Sequence, residues 1–549
     1  MTETEHQDSR SSTSVDSDGL TRRGLLTGAA SASLAGIIAA SAATMPVASA
    51  ATASGSFANV RASRPDNLHE IVLWDGAELS VAVRRRLVSC VEVMTAYLDH
   101  IDQVNPSVNA IVNLRPRSEL LAEAAEKDRL LQSGDYQGWM HGFPHAVKDL
   151  ASVAGMKTTF GFFRPPFDLG PATTDSLIVE RIRAAGAIFI GKTNTPEFGL
   201  GSQTYNNVFG TTFNAYDQTK TAGGSSGGAA VAVALRMLPV ADGSDFMGSL
   251  RNPPGWNNVF GLRPEAFLAQ GGVEGPIART ALDLALLLRT ISGYDARAPL
   301  PNEQDARSFT RLRGKLRGQK VAWLANLGGY LPMEPEVLEV TQRAVDAFSD
   351  LGMQVSQVDD LPAFGSFRGN QDLWPTWLIF RHWLIGGTLR PLYDIPLFRA
   401  AMKPEAIYEV QGLISGADGN PAISALDTYL GAVKRTDLYQ GFRQLFETYD
   451  YVVLPTAQVF PFDADVTWPR SIEGVQMSSY HRWMEVTAIG TLLNAPTLAM
   501  PAGFSSAGLP IGLQVIGKSH DDFSLLGLAH AWEKTTRWVE RVKPALLHD

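Results

Sequence analysis

The sequence predicts an α/β fold in which helices cover both faces of a mixed, mainly parallel central β-sheet. Segments with apolar residues at helical spacing alternate with short apolar runs along most of the 549 residues. Such alternation is typical of sheets whose strands are joined by helices. Apolar residues make up 45% of the chain and charged residues 19%, so a large core is expected. The net charge of −9 provides no basic surface for nucleic acid.

The individual elements follow from the spacing of apolar residues. Helices are predicted over residues 81–104, 116–132, 176–185, 278–291 and 335–351. Strands are predicted over residues 187–190, 320–324, 353–358, 451–455 and 511–516, with a short strand or loop at 141–150. Length alone would suggest about three or four domains. No linker in the sequence is clear enough to divide the chain after its N-terminal segment.

The first 50 residues have the pattern of an export signal. Residues 1–17 are polar and predicted to be disordered, and Arg22 and Arg23 then precede a weakly apolar run of small residues. Ala48-Ser49-Ala50 matches a cleavage site. We interpret residues 1–50 as a twin-arginine signal peptide and disordered N-terminus, with export to the periplasm or outside the cell. No stable membrane insertion is expected after cleavage; a disordered acidic tail with a chance arginine pair is the alternative.

Two further features have a functional and a structural interpretation. Cys90 is the single cysteine, so it forms no intramolecular disulfide, and a small buried side chain is favoured over a catalytic thiol. Residues 361–401 interrupt the alternation and are rich in aromatic residues. They form either a wall of the substrate pocket or the packing between layers, and packing is favoured because aromatic stripes usually belong to the core.

The most informative stretch is 223–264, where glycines crowd around two serines, Ser225 and Ser249. Glycine at such density indicates a backbone that approaches other atoms closely or adopts angles unfavourable for other residues. Residues 223–227 also match G-x-S-x-G, the nucleophile elbow of α/β-hydrolases, but the preceding residues 214–222 are polar and do not form the buried strand that an elbow requires. The common metal-binding and nucleotide-binding motifs are missing from the sequence.

These residues resemble the signature of the amidase signature family of serine hydrolases. The matching runs are GGSSGG at 223–228, GSD at 243–245, GSLR at 248–251 and GLRP at 261–264. The family also carries an upstream lysine in a Gly-x-Pro-x-x-x-Lys-Asp context, and this chain has GFPHAVKD at 142–149. The resemblance covers residues 75–542 and implies a single large α/β domain that hydrolyses carboxylic amides.

The resemblance also implies how the reaction is divided among residues. Ser249 would attack the amide carbonyl and form an acyl ester, and Ser225, after a cis peptide at Gly224–Ser225, would relay the proton. Lys148 would be neutral at rest and act first as base and then as acid. A lysine can do so only if burial lowers its pKa, and its apolar neighbours in the sequence favour burial.

The remaining site residues lie around the nucleophile. By the resemblance, the oxyanion hole consists of the backbone N–H groups of Phe246, Met247, Gly248 and Ser249. Ser226 and Asp245 are expected to support the catalytic groups, and Arg251 to anchor the backbone. The chain departs from the family in having methionine where glycine is common at 247, which adds bulk beside the nucleophile, and in a short 264–271 segment.

Two other functions stay open at this point. One is the glutaminase-type subunit of a tRNA-dependent amidotransferase, although the export signal argues against a cytosolic complex. The other is an inactive secreted amidase-like binding protein, although all three catalytic residues are present. A small-molecule amide substrate and neither metal nor organic cofactor are expected. The acyl and amine groups of the substrate, esterase activity and the oligomeric state, with a homodimer as one option, stay open.

Overall fold

The computed structural model describes residues 60–265, 272–297 and 306–547. The predicted signal peptide and most of the short 264–271 segment lie outside these residues. The largest feature is an eight-stranded sheet whose strands we number along the chain. They are β1 (Val240–Asp245), β2 (Phe260–Arg263), β3 (Val273–Ala278), β4 (Lys320–Trp323), β5 (Gln354–Gln357), β6 (Tyr451–Pro455), β7 (Thr497–Phe504) and β8 (Pro510–Ile516).

The sheet is mixed as predicted, but the expectation that it is mainly parallel is wrong. Its order is β5-β4-β6-β8-β7-β2-β3-β1. Only the β5–β4 and β4–β6 pairs are parallel, whereas the other five neighbouring pairs are antiparallel. The strand directions are set by the connections between consecutive strands. Strands β7 and β8 are joined by a five-residue turn that reverses the chain, and such short links produce antiparallel neighbours.

Helices pack around this sheet, and most predicted helices are present within a few residues of their predicted bounds. The main helices are Gly76–Arg84, Cys90–Val108, Arg117–Gln132, Leu177–Ala184, Gly227–Ala234, Ala281–Ile291, Pro335–Asp346, Leu373–Arg381, Gly387–Tyr393, Pro404–Ile414, Ala425–Thr448 and Asp522–Thr536. The shorter ones are Asn252–Trp256, Pro396–Ala401, Ala488–Leu492 and Trp538–Arg541. Within the described residues, none of these helices has the length and apolarity needed to cross a membrane.

The single helix predicted over residues 81–104 is in fact two helices with a break between them. Arg86 adopts a left-handed backbone conformation with φ of 58°. Ser89 then begins the second helix with a capping box, in which its side chain accepts from the Glu92 N–H and its own N–H donates to the Glu92 carboxylate. The apolar spacing continues through the break, which is why periodicity alone joined the two helices.

A smaller sheet carries the predicted catalytic lysine. Strand Pro144–Lys148 lies parallel to Ile188–Thr193, which pairs on its other side with Ile111–Val112. The wholly buried helix Gly227–Ala234 packs against this sheet and against β1 of the large sheet. The site described next therefore lies where the two sheets meet, at the start of this helix.

The two ambiguous features of the sequence resolve as structural. Cys90 is fully buried, and burial raises the pKa of its thiol, as expected for an unreactive side chain. In the aromatic-rich segment, Trp374, Trp377 and Phe380 are buried in the core, so the packing interpretation is confirmed for these three side chains, whereas Trp383 is exposed.

Candidate active site

Three side chains predicted from separate parts of the sequence form a continuous chain of polar contacts. Lys148 Nζ lies 2.8 Å from Ser225 Oγ, and Ser225 Oγ lies 3.0 Å from Ser249 Oγ. All three residues are buried, with Ser249 the most exposed at 7%. Such distances permit proton transfer along the chain from Ser249 to Lys148.

Ser225 is presented by a loop in which side chains would not fit. The Gly224–Ser225 peptide bond is cis, as predicted. A Cβ atom on Gly224 would lie 2.7 Å from the backbone nitrogen of Gln203, and one on Gly228 would lie 2.4 Å from that of Asn194. The serine loop and the first turn of the helix that follows are therefore pressed directly against neighbouring backbone.

Lys148 is surrounded by hydroxyl groups. Its Nζ lies 2.9 Å from Ser226 Oγ and 2.9 Å from Ser244 Oγ, in addition to Ser225. Burial lowers the pKa of Lys148 to about 7, against the opposing effect of nearby carboxylates. The structure thus shows a lysine without an ion-pair partner in contact distance among the described residues, with a pKa suited to a base near neutral pH.

Ser249 follows β1 on a tight turn that one carboxylate organises. Asp245 accepts hydrogen bonds from the Gly248 N–H at 2.8 Å and the Leu250 N–H at 3.0 Å. Arg251 binds the same carboxylate through two nitrogens, each at 2.9 Å, and donates to Thr487 O at 2.6 Å. Burial would raise the pKa of Asp245, but the charge and hydrogen bonds of Arg251 outweigh it and lower the pKa to about 2.

The predicted oxyanion hole requires one correction. Because the Gly248 N–H already donates to Asp245, it is not available to a substrate. The N–H groups of Phe246, Met247 and Ser249 make no hydrogen bond among the described residues. Those three N–H groups, and not that of Gly248, are the donors that the turn leaves for an oxyanion.

Several residues near Lys148 were not predicted. Ser244 and Asp242 alternate along β1 on the face toward Lys148, and Asp242 accepts from the Lys148 N–H at 3.1 Å. Asp242 also contacts His145 Nε2 at 2.9 Å. The alternation of polar residues within a buried strand was the available signal. Glu274 is the direct cross-strand partner of Ser244 in β3, and no local pattern in the sequence pointed to it.

The catalytic residues open into a cavity of about 300 Å³. Its wall is mostly apolar, from Leu150, Phe198, Leu200, Phe246, Met247, Leu384 and Ile385. Polar groups beside these are Glu274, Arg381, Tyr480 and His481. The aromatic-rich segment thus does contribute to the pocket wall, but through Arg381, Leu384 and Ile385, not through its tryptophans. Met247 lies in the wall, as its position beside the nucleophile suggested.

Comparison with known proteins identifies the family of this chain. A sequence model of the amidase family, described as Amidase, matches residues 92–368 and 409–526. The chain is 34% identical over 496 residues to an acylamidase of Rhodococcus erythropolis, covering 87% of this chain and 98% of the relative. The chain therefore belongs to the amidase signature family. This protein is an amide hydrolase.

Other members of the amidase signature family resemble the chain to a similar degree. It is 32% identical over 502 residues to one subunit of the glutamyl-tRNA(Gln) amidotransferase of Thermosynechococcus vestitus, covering 84% and 98% of the two chains. A crystal structure of a bacterial aryl acylamidase of the family superposes with a TM-score of 0.76 at 26% identity, covering 85% and 97%. The relatives thus include both enzymes named as acylamidases and a component of an amidotransferase.

Proposed function

We propose that the chain is a stand-alone amidase that cleaves a small carboxylic amide to a carboxylate and an amine or ammonia. The reaction would proceed through an acyl ester on Ser249, with Ser225 as proton relay and Lys148 as base. The observation that carries this proposal is the contact chain from Ser249 Oγ through Ser225 Oγ to Lys148 Nζ, with steps of 3.0 and 2.8 Å.

The hydrogen bonds around Lys148 support the direction of proton flow. A neutral amine has two N–H donors and one lone pair. Ser226 Oγ donates to the carbonyl of Ser244, so it accepts from Lys148. The second N–H is directed to Ser244, whose Oγ and carbonyl oxygen lie 2.9 and 3.3 Å from Nζ. With Lys148 neutral, the lone pair would accept from the hydroxyl of Ser225, whose oxygen would in turn accept from Ser249, along the contacts of 2.8 and 3.0 Å.

The reaction follows from this arrangement. As Ser249 Oγ attacks the carbonyl carbon, its proton passes to Ser225 and the proton of Ser225 passes to Lys148. The tetrahedral oxyanion would accept hydrogen bonds from the N–H groups of Phe246, Met247 and Ser249. Lys148, now an ammonium group, returns its proton through Ser225 to the leaving nitrogen as the C–N bond breaks. Water then attacks the acyl ester by the same route and releases the carboxylate.

A stand-alone amidase is favoured over a glutaminase component by the shape and chemistry of the cavity. An apolar wall suits an apolar acyl or aryl group better than the charged amino acid portion of glutamine. The Rhodococcus relative named acylamidase and the structural neighbour named aryl acylamidase agree with this choice. We further propose, from the arginine pair and the cleavage site in residues 1–50, that the protein is exported by the twin-arginine pathway.

The nucleophile is tested with a fluorophosphonate probe, which forms a covalent bond with an activated serine. We expect mass spectrometry to locate the label on Ser249, and Ser249→Ala to lose both labelling and hydrolysis of a simple aryl amide. Amide hydrolysis by the variant is expected to be at least about a thousandfold slower than that by the wild type. A label on Ser225 would contradict the proposal and favour the nucleophile elbow instead.

A further inference from the structure

The wall of the cavity contains a guanidinium group for which the proposed chemistry has no use. Arg381 is buried, with 4% of its surface exposed, yet it lines the cavity. Its plane lies over the ring of Phe246, with Cζ 5.2 Å from the ring centroid. Phe246 is one of the three residues whose N–H groups are directed to the oxyanion in the proposed function, so Arg381 stands close to the reacting centre.

Two of the three guanidinium nitrogens are held by protein. Nε donates to Glu409 Oε1 at 2.9 Å, and Nη2 donates to the hydroxyl of Tyr480 at 2.8 Å. Tyr480 itself donates to Glu409, which closes the ring of contacts. Arg381 is therefore fixed in orientation, and a donor fixed in this way loses little entropy when it binds a ligand.

The third guanidinium nitrogen, Nη1, is not held by the protein in this way. In the part of the chain that the structure describes, it has no hydrogen-bond partner, and it is not among the atoms sealed from solvent. His481 in the same wall likewise has a buried Nε2 without a partner among the described residues, while its Nδ1 lies 3.2 Å from Ser479 Oγ. Arg381 Nη1 is thus left to donate to solvent or to a ligand in the cavity, and a charged donor held in one orientation is well placed to bind a ligand acceptor.

The charge balance of this wall selects the kind of acceptor. Glu409 remains ionised because the charge of Arg381 and the hydrogen bond from His382 outweigh the effect of burial on its pKa. Burial lowers the pKa of His481 well below its usual value, so this ring is neutral. Arg381 and Glu409 therefore cancel, and a carboxylate entering this apolar cavity would bring an uncompensated charge.

We propose that Arg381 is a specificity residue, whose Nη1 donates to a neutral hydrogen-bond acceptor on the substrate, such as a second carbonyl group beyond the scissile amide. This inference rests on the proposed function. The acceptor belongs either to the acyl group or to the amine, and both positions offer the same chemistry to Nη1. A hydrogen bond from a charged donor corresponds to about a tenfold or larger preference over an alkyl analogue.

The test compares matched pairs of amides. On the acyl side, the alkyl compound is the 4-nitroanilide of hexanoic acid, and its keto partners are the 4-nitroanilides of 4-oxohexanoic and 5-oxohexanoic acid. Glutaric acid mono-4-nitroanilide is the carboxylate compound of this arm. On the amine side, the pair is N-acetyl-4-propylaniline and 1-(4-acetamidophenyl)propan-2-one, in which a methylene group separates the ketone from the ring and keeps it from conjugating with the anilide. We expect kcat/KM for a keto compound to exceed that of its alkyl partner by about tenfold in one arm, and the glutaric compound to be the poorest acyl substrate.

The variants are judged by the ratio of kcat/KM for keto and alkyl partners, which does not depend on the amount of folded enzyme. Arg381→Met should bring this ratio close to one. If that variant does not fold, Arg381→Lys should lower the ratio, because its ammonium group lacks the planar fork that Glu409 and Tyr480 hold in place. Arg435→Met is the control, because Arg435 also lies over an aromatic ring, Phe380, but outside the cavity wall. It should retain the preference.

The outcomes separate the two proposals. No keto preference in either arm, a preference that survives in the Arg381 variants, or a preference for the glutaric compound would each overturn the inference. If wild-type enzyme hydrolyses the alkyl amides, the proposed function stands even when the inference fails. If it hydrolyses none of these amides and no serine is labelled, the proposed function itself fails.

Discussion

Lys148 and Glu274 are two ionisable groups whose charges influence each other within the active site. Glu274 is the cross-strand partner of Ser244, which contacts Lys148 Nζ, and Glu274 lines the cavity. Burial, followed by the nearby charge of Asp242, raises the pKa of Glu274 to about 8, whereas burial lowers that of Lys148 to about 7. Both groups are therefore largely uncharged in a narrow window of pH between these values.

We expect Glu274→Gln to simplify the pH profile of the enzyme. An ionised Glu274 stabilises the ammonium form of Lys148 and so opposes its use as a base above about pH 8. Removing the carboxyl should raise kcat/KM above about pH 8, where Glu274 is ionised in the wild type, and leave the single ionisation of Lys148. The measurement is kcat/KM for an aryl amide between about pH 5 and 10.

The control for this variant is Glu533→Gln. Burial raises the pKa of the Glu533 carboxyl to about 7 as well, but Glu533 accepts from the Ala281 N–H and does not line the active-site cavity. The pH profile of kcat/KM for Glu533→Gln should match that of the wild type. If Glu274→Gln also leaves the profile unchanged, Glu274 exerts no electrostatic effect on Lys148.

Residues of the site differed in how well the sequence revealed them. Lys148, Ser225 and Ser249 lie in short glycine-rich motifs, so neighbouring residues identify them. Glu274 and Arg381 have no such context, because they reach the cavity through sheet register and through helix packing between distant parts of the chain. Which N–H groups of the turn are left for an oxyanion also depends on which of them Asp245 binds. The spacing of residues in the sequence does not decide this.

At the scale of elements, the helix Gly227–Ala234 joins the two sheets and positions the serine loop. It is buried along its whole length and carries no charged residue, so it depends on close packing. At Gly228, an added Cβ would lie 2.4 Å from Asn194 N and 2.6 Å from the Ala110 carbonyl oxygen. Both are backbone atoms that cannot rotate away, so substitution must displace the helix or the small sheet.

We expect Gly228→Ala to lower the free energy of unfolding by about 1–3 kcal/mol, the usual cost of overpacking. Thermal or denaturant unfolding followed by circular dichroism provides the measurement. Gly387→Ala is the matched control, since Gly387 is also helical and an added Cβ would have no atom within 4 Å. That change should be neutral or stabilising by up to about 1 kcal/mol. Equal effects of the two substitutions would show that the packing at Gly228 is not close.

Elements themselves were largely predictable, and the exceptions have local causes. The runs at β4, β6 and β8 stand out as strands because they are short, mostly apolar and rich in β-branched and aromatic residues. The break at Arg86 was missed because apolar residues keep helical spacing on both sides of it. Strand direction was predicted wrongly because it depends on the connections, such as the short β7–β8 turn, and not on the strands.

At the scale of the whole molecule, the export proposal concerns residues that precede the described fold. We expect the double substitution of Arg22 and Arg23 by lysine to leave precursor protein in the cytoplasm, because twin-arginine export depends on the arginine pair. Cell fractionation and immunoblotting measure the distribution. The same double substitution at Arg84 and Arg85, an exposed pair in the folded chain, is the control and should be exported normally. Normal export of the first variant would contradict the proposal.

The most direct test of Lys148 as the catalytic base is the rate of acyl-enzyme formation in Lys148→Ala, followed as a burst of product across pH. Wild-type acylation should rise with pH through about 7, where Lys148 loses its proton. In the variant, acylation should be slower by about a hundred- to ten-thousandfold and should no longer rise with pH through this range. Circular dichroism should show that the variant is folded like the wild type. An acylation rate near that of wild type, with the same pH dependence, would contradict the assignment of Lys148 as the base.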